Sequence, residues 1–266
     1  MRPRVVATDL DGTVVRSDGT ISPRTRAALK MARDDGALIV VITGRPPRWL
    51  TGISEALGHN GIALCANGAL TYDLTTEQIT ESRPLDLDVV RALMTQLRDS
   101  VPDIVFAVER IDGQFAHESA YHPRWEPEKR TVIGDLEQVF DVPIAKLLAR
   151  VEGVDSDGLL AMARAVVADG TATLTHSSID GLLEVSAYGV TKASSLERML
   201  ARDGLGAEHV VAFGDMPNDI ELLQWSGLGV AVANAHPDVL AIADEVTLSN
   251  DDDGVAVFLE RLFAQP

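Results

Sequence analysis

Cysteine is nearly absent: Cys65 is the single one in 266 residues. No disulfide can form within the chain, which fits a reducing compartment. Cys65 lies in the apolar run Ile62-Ala63-Leu64-Cys65-Ala66 and reads as a small buried hydrophobe, the common fate of a free cysteine. Positive charge is also scarce. Lys and Arg number 23 against 40 Asp and Glu, a formal net charge of −17. Such a field repels phosphate backbones and anionic lipid, so no nucleic acid and no membrane is expected as partner. An anionic substrate would need a local cation to overcome it. Long uncharged runs are missing, so nothing is expected to span a bilayer. The apolar start Val5-Val6-Ala7-Thr8 is cut off by Asp9 and Asp11, too early for the core of a signal peptide. These absences lead to the expectation of a cytoplasmic protein. Hydrophobic content of 46% and charged content of 24% suit a globular chain and exclude disorder.

Short β-branched runs alternate with helical patterns at both ends of the chain. Val5 to Leu10 reads as a buried strand. Ser22-Pro23 opens a helix that stops near Gly36, with Ser as N-cap and Pro at the first helical position. A strand over 37–42 ends at Thr43-Gly44-Arg45, a helix follows over 47–57, and a strand over 62–65 ends at Asn67-Gly68. This order predicts an α/β fold: a Rossmann-like parallel-sheet core with helices on both faces. From about Thr71 to Ala187 the strands become shorter and more polar. They are expected at 104–108, 114–117, 144–148, 171–175 and 182–185, with helices near 87–99 and 157–169. This predicts a separate, inserted α+β domain. The parallel pattern resumes with a helix over 191–201, a strand over 210–213, a helix over 219–225, a strand over 229–232 and a helix over 255–263. The predicted domains are therefore 1–83 with 188–266 as core and 84–187 as insert. Asp251-Asp252-Asp253 reads as a solvated charge cluster.

Ligands sit off the carboxyl ends of parallel strands, so the polar tips are the candidate site. Asp9-Leu10-Asp11-Gly12-Thr13 carries two carboxylates two residues apart at a strand end. Gly214-Asp215-Met216-Pro217-Asn218-Asp219 likewise follows a β-branched run. If both tips share an edge, Asp9, Asp11, Asp215 and Asp219 converge. Carboxylates that close require a cation or a proton between them, and an all-oxygen set points to Mg²⁺. Lys192, one of only four lysines, stands at a helix start, where a cation opposes the macrodipole. That local cost suggests pairing with carboxylates and phosphate. Thr43-Gly44-Arg45 offers a hydroxyl and backbone N–H groups that can hold phosphoryl oxygens.

These four segments, in this order, resemble the haloacid dehalogenase superfamily, and the large insert after the third strand makes the chain similar to its Cof-type phosphatases with a C2B cap. The stretches Gly229-Val230-Ala231-Val232-Ala233-Asn234-Ala235, Ala243-Asp244-Glu245-Val246-Thr247 and Asp253-Gly254-Val255-Ala256 resemble that family too. The resemblance implies Mg²⁺-dependent hydrolysis of a small phosphorylated metabolite. Asp9 would be the nucleophile and Asp11 the acid and base. Thr43 and Lys192 would hold the phosphoryl oxygens. Mg²⁺ would be bound by Asp9, the Asp11 carbonyl and Asp215, with Asn218 and Asp219 orienting its waters and Lys192. Gly44, Arg45, Asn67 and Gly68 would line the phosphate side. The chain departs from the family where Ala193, not glycine, follows the lysine, and where Val232-Ala233 replaces Met-Gly.

Two other readings use the same residues. A phosphohexomutase would need a cationic pocket in the insert for a second phosphate. Arg110, Arg124, Lys129, Arg130 and Lys146 are its candidates, although solvated surface charges are the commoner outcome. A catalytically idle phosphate-ester-binding protein would bind without turnover. The insert reads as a lid that shields the site and selects substrate. His117, His122 and Trp125 are candidate contacts, and the loop from Ser119 to Pro127 a candidate ligand-facing segment. His176 reads as structural. A homo-oligomer is compatible with the sequence.

Overall fold

A computed structural model of the chain describes residues 2–57, 61–123 and 131–263. The chain opens with β1 (Val5–Thr8), α1 (Pro23–Asp34), β2 (Leu38–Ile42), α2 (Ile53–Leu57), β3 (Ile62–Cys65), β4 (Leu70–Asp73) and β5 (Gln78–Ser82). Then come α3 (Leu87–Ser100), β6 (Val105–Arg110), β7 (Phe115–His117), β8 (Thr131–Ile133), β9 (Ile144–Arg150), α4 (Ser156–Val166), β10 (Ala172–Thr175) and β11 (Leu182–Ala187). The last part holds α5 (Lys192–Ala201), β12 (Val210–Gly214), α6 (Ile220–Trp225), β13 (Leu228–Ala231), α7 (Pro237–Ile242), β14 (Glu245–Val246) and α8 (Gly254–Phe263). The chain divides into two compact units, Glu81–Val190 and the residues on either side of it. The borders expected from sequence were 83/84 and 187/188.

In the core unit the described strands form one sheet in the order β14-β13-β12-β1-β2-β3-β4-β5. From β14 to β3 the pairing is parallel, and β4 turns back antiparallel on β3. All of β1 and β12 is buried, so both faces are covered, as continuous β-branched runs require. α1 packs with α8, and α5 with α6. The Ser22 hydroxyl caps α1 by accepting from the Thr25 amide at 3.0 Å, and Pro23 takes the first helical position. The chain leaves β1 for β2 on one side and returns to β12 on the other. The two carboxyl ends therefore flank the point where strand order reverses, the usual place for a ligand crevice in such sheets.

Two regions differ from the sequence expectation. The helix expected over 47–57 is broken into a 3₁₀ turn, Pro47–Trp49, and α2. Two adjacent prolines, Pro46 and Pro47, begin it, and φ reaches +80° at Gly52, which ends helical geometry. β4 and β5 extend the core sheet within the expected core span 1–83, where no strand was expected. Their half-exposed polar residues are those of sheet-edge strands and hide the pattern. Asp251-Asp252-Asp253 lies on an exposed turn, as expected, and its carboxylates bond Ser17, Ser249 and Arg16.

The insert forms a six-stranded sheet among the described residues, in the order β10-β11-β9-β6-β7-β8, antiparallel except for β7 and β8. Phe106, Val108, Leu147, Ala149, Leu183 and Val185 pack with Leu93, Leu97 and Leu159 of α3 and α4. Strand alternation sends Glu109, Lys146 and Glu184 to the other face. There Lys146 Nζ donates to Glu184 at 2.6 Å. Lys146 and Arg110, expected as solvated charges, are buried, and Arg110 pairs with Asp112 and Asp141. Arg124, Trp125, Lys129 and Arg130 lie outside the described residues. His176 is buried between the Ser178 carbonyl and Asp157. His117 is buried beside Phe115 and Tyr121, and His122 is exposed. Among the described residues no helix is long and apolar enough to cross a membrane.

Candidate active site

Asp9 directly follows β1 and Asp215 directly follows β12. The pairing of Thr8 with Phe213, extended by the Asp9 amide donating to the Phe213 carbonyl at 3.1 Å, puts both tips on one sheet edge. Asp219 lies one turn beyond Asp215. Carboxylate oxygens of Asp9, Asp215 and Asp219 lie within 4.8 Å of one another. All three side chains are buried.

Lys192 is 1% exposed. Its Nζ lies 2.7 Å from Asp219 Oδ1 and 3.2 Å from Asp9 Oδ1. The local sequence dictates where its helix begins. The Thr191 hydroxyl accepts from the Ser194 amide, and Ser194 Oγ accepts in turn from the Thr191 amide, a reciprocal cap that fixes the first turn. Lys192 therefore takes the first helical position. Its conflict with the macrodipole is offset by the two carboxylates it meets. Burial works against its charge, yet Asp219 and Asp9 more than offset this, and its pKa lies above the ordinary lysine value.

The carboxylates respond in the opposite sense. Burial, the largest cause, lifts Asp9 to about 7, against the pull of Lys192 and with repulsion from Asp219 and Asp11 adding to it. Burial, then the charges of Asp9 and Asp219, hold Asp215 well above its usual range. Three buried carboxylates face one ammonium group, an excess of negative charge that a bound cation would relieve. The donors are hard oxygens, suited to a hard divalent ion. Asn218 adds a second sign. Its Nδ2 donates to Asn67 Oδ1 at 2.9 Å, while its Oδ1 is buried without a partner. A bare acceptor in the Asp219 turn suits a donor such as a cation's water and not a phosphate oxygen.

The four aspartates are not equivalent. Asp219 is committed within the protein: Oδ1 accepts from Lys192, and Oδ2 from the Asp215 and Met216 amides, both at 3.1 Å. Asp11 turns outward. Its carboxylate, about half exposed, accepts from Arg45 Nε at 2.7 Å and Nη2 at 2.5 Å. Arg45 thus bonds Asp11 and also feels the Asp9 charge. Asp11 and Asp9, two residues apart, are held in different surroundings.

The loops after β2 and β3 are stitched together. The Thr43 hydroxyl accepts from the Arg45 amide at 3.1 Å, which leaves its O–H to donate elsewhere. Gly44 sits between them, half-buried. The Asn67 amide donates to the Thr43 carbonyl at 3.0 Å, and the Ala66 amide to the Arg45 carbonyl at 2.9 Å. Gly68, with φ +94°, touches α5, and a Cβ there would fall 2.4 Å from Ser195 Oγ. The Gly68 carbonyl accepts from that hydroxyl at 2.9 Å. Gly68 therefore lets the Lys192 helix approach.

Sequence reasoning passed over Thr13, Ser195 and Asn234. Thr13 Oγ1 donates to Asp215 Oδ1 at 2.9 Å, and Asn234 Nδ2 donates to the Gly12 carbonyl at 2.8 Å. Gly12 has φ +75°, and a Cβ there would meet Asp215 Oδ2 at 2.3 Å, so the first tip can approach the second only with glycine at this position. Thr13 follows directly on the two aspartates and was within reach of a sequence reading. Asn234 lies in the family-like stretch 229–235 but was given no role, and nothing local marks Ser195.

The family model for haloacid dehalogenase-like hydrolases matches residues 6–259. The chain is 28% identical to the 5-amino-6-(5-phospho-D-ribitylamino)uracil phosphatase YitU of Bacillus subtilis, over 99% of this chain and 98% of that protein. It is 27% identical to the pyridoxal phosphate phosphatase YbhA of Escherichia coli, over 97% of this chain and 98% of that one. A haloacid dehalogenase-like hydrolase from Bacteroides thetaiotaomicron, 26% identical, superposes with a TM-score of 0.75 over 98% of this chain and 100% of its own. The HAD subclass IIB sugar phosphatase BT4131, at 21% identity, shares the fold with a TM-score of 0.79 over 97% and 98% of the two chains. The chain belongs to the haloacid dehalogenase-like hydrolases, among the Cof-type phosphatases.

Proposed function

We propose that the protein hydrolyses a small phosphomonoester with Mg²⁺, through a phospho-aspartate on Asp9. The observation that carries this reading is Lys192 Nζ lying 3.2 Å from Asp9 in a buried cluster with Asp215 and Asp219. Asp9 directly follows β1 and meets Lys192 with one oxygen, whereas Asp219 is held by three donors. An Asp9 oxygen attacks phosphorus, and the ester oxygen leaves with a proton from Asp11. Water then attacks the phospho-aspartate while Asp11 takes its proton, releasing phosphate and restoring Asp9. Splitting the displacement in two is the advantage of covalent catalysis. The Lys192 ammonium and the Thr43 hydroxyl hold the phosphoryl oxygens, and the amide of Gly44 adds a donor at the same turn. Asn67 and Gly68 hold this side of the site against α5. Asp9, Asp215 and the Asp11 carbonyl would hold Mg²⁺, with Asn218 and Asp219 supporting it from behind. Bound there, the ion supplies charge neutralisation for phosphoryl transfer.

The relatives named above act on a ribitylaminouracil phosphate and on pyridoxal phosphate. A sugar phosphate, nucleotide or cofactor phosphate is accordingly the substrate class, and the lone buried cysteine suits the reducing cytoplasm. A second-phosphate pocket, as a mutase needs, finds no support in Arg110 and Lys146, since acidic neighbours already engage both. The test is phosphate release from an aryl phosphate. Turnover requires Mg²⁺ and is abolished in Asp9→Asn, and Asp11→Asn loses ~10²–10⁴-fold, the range of a positioned acid and base. Full turnover by Asp9→Asn refutes the mechanism.

A further inference from the structure

The acidic run at 251–253 takes no part in this chemistry, yet all three carboxylates are engaged. Asp251 accepts from the Ser17 amide at 2.9 Å and the Ser17 hydroxyl at 2.8 Å. Asp252 accepts from the Ser249 hydroxyl at 2.6 Å, and Asp253 from Arg16 Nη2 at 2.7 Å. Between Ser249 and this run stands Asn250, 8% exposed. Its Nδ2 donates to the Val15 carbonyl at 2.9 Å, and its backbone amide to Asn234 Oδ1 at 2.9 Å. Asn234 passes the link on, from Nδ2 to the Gly12 carbonyl at 2.8 Å. The turn is thus fastened to two carbonyls and two side chains of the segment that follows Asp9.

That segment is poorly held by itself. The amides of Thr13, Val14 and Val15 all turn to one acceptor, the Leu10 carbonyl, at 3.2, 3.0 and 2.8 Å. Three donors on one oxygen cannot all bond well, because a carbonyl has two lone pairs. The loop nevertheless has to be rigid. Gly12 leaves no room for a Cβ beside Asp215, and Thr13 bonds that carboxylate. A shift of Gly12 would move Asp11 on one side and the support of Asp215 on the other.

We propose that Asn250 and Asn234 form an amide relay that positions the nucleophile loop, fixing Gly12 and Val15 and through them Asp9, Asp11 and Asp215. Neither residue touches the reacting atoms. The kinetic consequence rests on the phosphatase reading above, and the structural consequence does not. The test compares Asn250→Ala, Asn234→Ala and the double variant at saturating Mg²⁺, with amide hydrogen exchange at residues 10–15 read in the same folded proteins. The expected result is kcat lower by about tenfold with KM within about twofold, since small misplacements cost rate. The double variant falls no further than the lower single, because the two side-chain bonds, to Val15 and to Gly12, fix the same short loop and residues coupled through one backbone shift are not additive, and exchange at residues 10–15 quickens in all three. If Asn250→Ala does not fold, the exposed Asn234→Ala carries the same readouts. Unchanged exchange with unchanged kcat, or losses that multiply in the double variant, overturn the relay. An inactive parent protein would instead refute the phosphatase reading, and exchange alone would then decide the relay.

Discussion

Lys192 in the core and Lys146 in the insert are both almost wholly buried, at 1% and 3% exposure, and they donate to a carboxylate at 2.7 and 2.6 Å. Their settings differ. Lys146 and Glu184 project from neighbouring strands inside a sheet, with Glu109 opposite Lys146 in the ladder. Lys192 meets side chains that hang from loop tips, and among the described residues these make up the one group of three or more carboxylates converging within 4.8 Å. The core group differs in standing at strand tips with three carboxylates, two of them with pKa values pushed upward by burial, and such perturbation clusters at functional sites.

The comparison is sharpest in substitutions of the two lysines. Lys192→Met is expected to cost ~10³-fold or more in kcat, because it removes a fixed cation aimed at transferring charge. Lys146→Met is expected to cost about 3–5 kcal/mol of stability, the usual result of stranding a buried carboxylate, with kcat per folded molecule within about threefold. Activity assays beside urea unfolding read both. Equal kcat losses would erase the distinction between the sites.

A smaller effect concerns Asp9 without metal. Its carboxyl is raised from 3.8 to about 7 in the folded protein. The folded state therefore favours the protonated form, and its contribution to stability is full below pH 4 and lost as pH rises to about 7. In EDTA at pH 8, Asp9→Asn should be more stable than the parent by roughly 2–4 kcal/mol, and the gap should close near pH 4. Parallel curves across that range would contradict the charge imbalance. Smallest is Thr13→Val, which removes one hydroxyl bond to Asp215 and should weaken Mg²⁺ binding about tenfold, as loss of an outer-shell partner does. Unchanged affinity would detach Thr13 from the site.

The sequence exposed the core better than the insert's edges for a physical reason. Buried parallel strands such as Val5–Thr8 and Val210–Gly214 read as unbroken β-branched runs, and their tips carry the aspartates. β5 alternates half-exposed and exposed residues and resembles a loop. Asp11 and Asp9 look alike in the chain, and only the fold shows one paired with Arg45 and the other buried against Lys192. The contact of Asp219 with Lys192, implied by the family resemblance, joins a capped helix to the 3₁₀ turn Pro217–Asp219, a long-range event that residue patterns alone do not mark. Asn250 bonds Val15 across 235 positions, so its neighbours Asp251–Asp253 read as mere surface charge.

On the proposed mechanism Asp9 and Asp215, on tips brought together by β1 and β12, share one divalent ion beside Lys192. Calorimetric titration of Mg²⁺ into the parent protein and Asp215→Asn tests it most directly. The expected result is one ion per chain in the parent and a loss of at least about tenfold in affinity in the variant. Equal binding by the two proteins would contradict it.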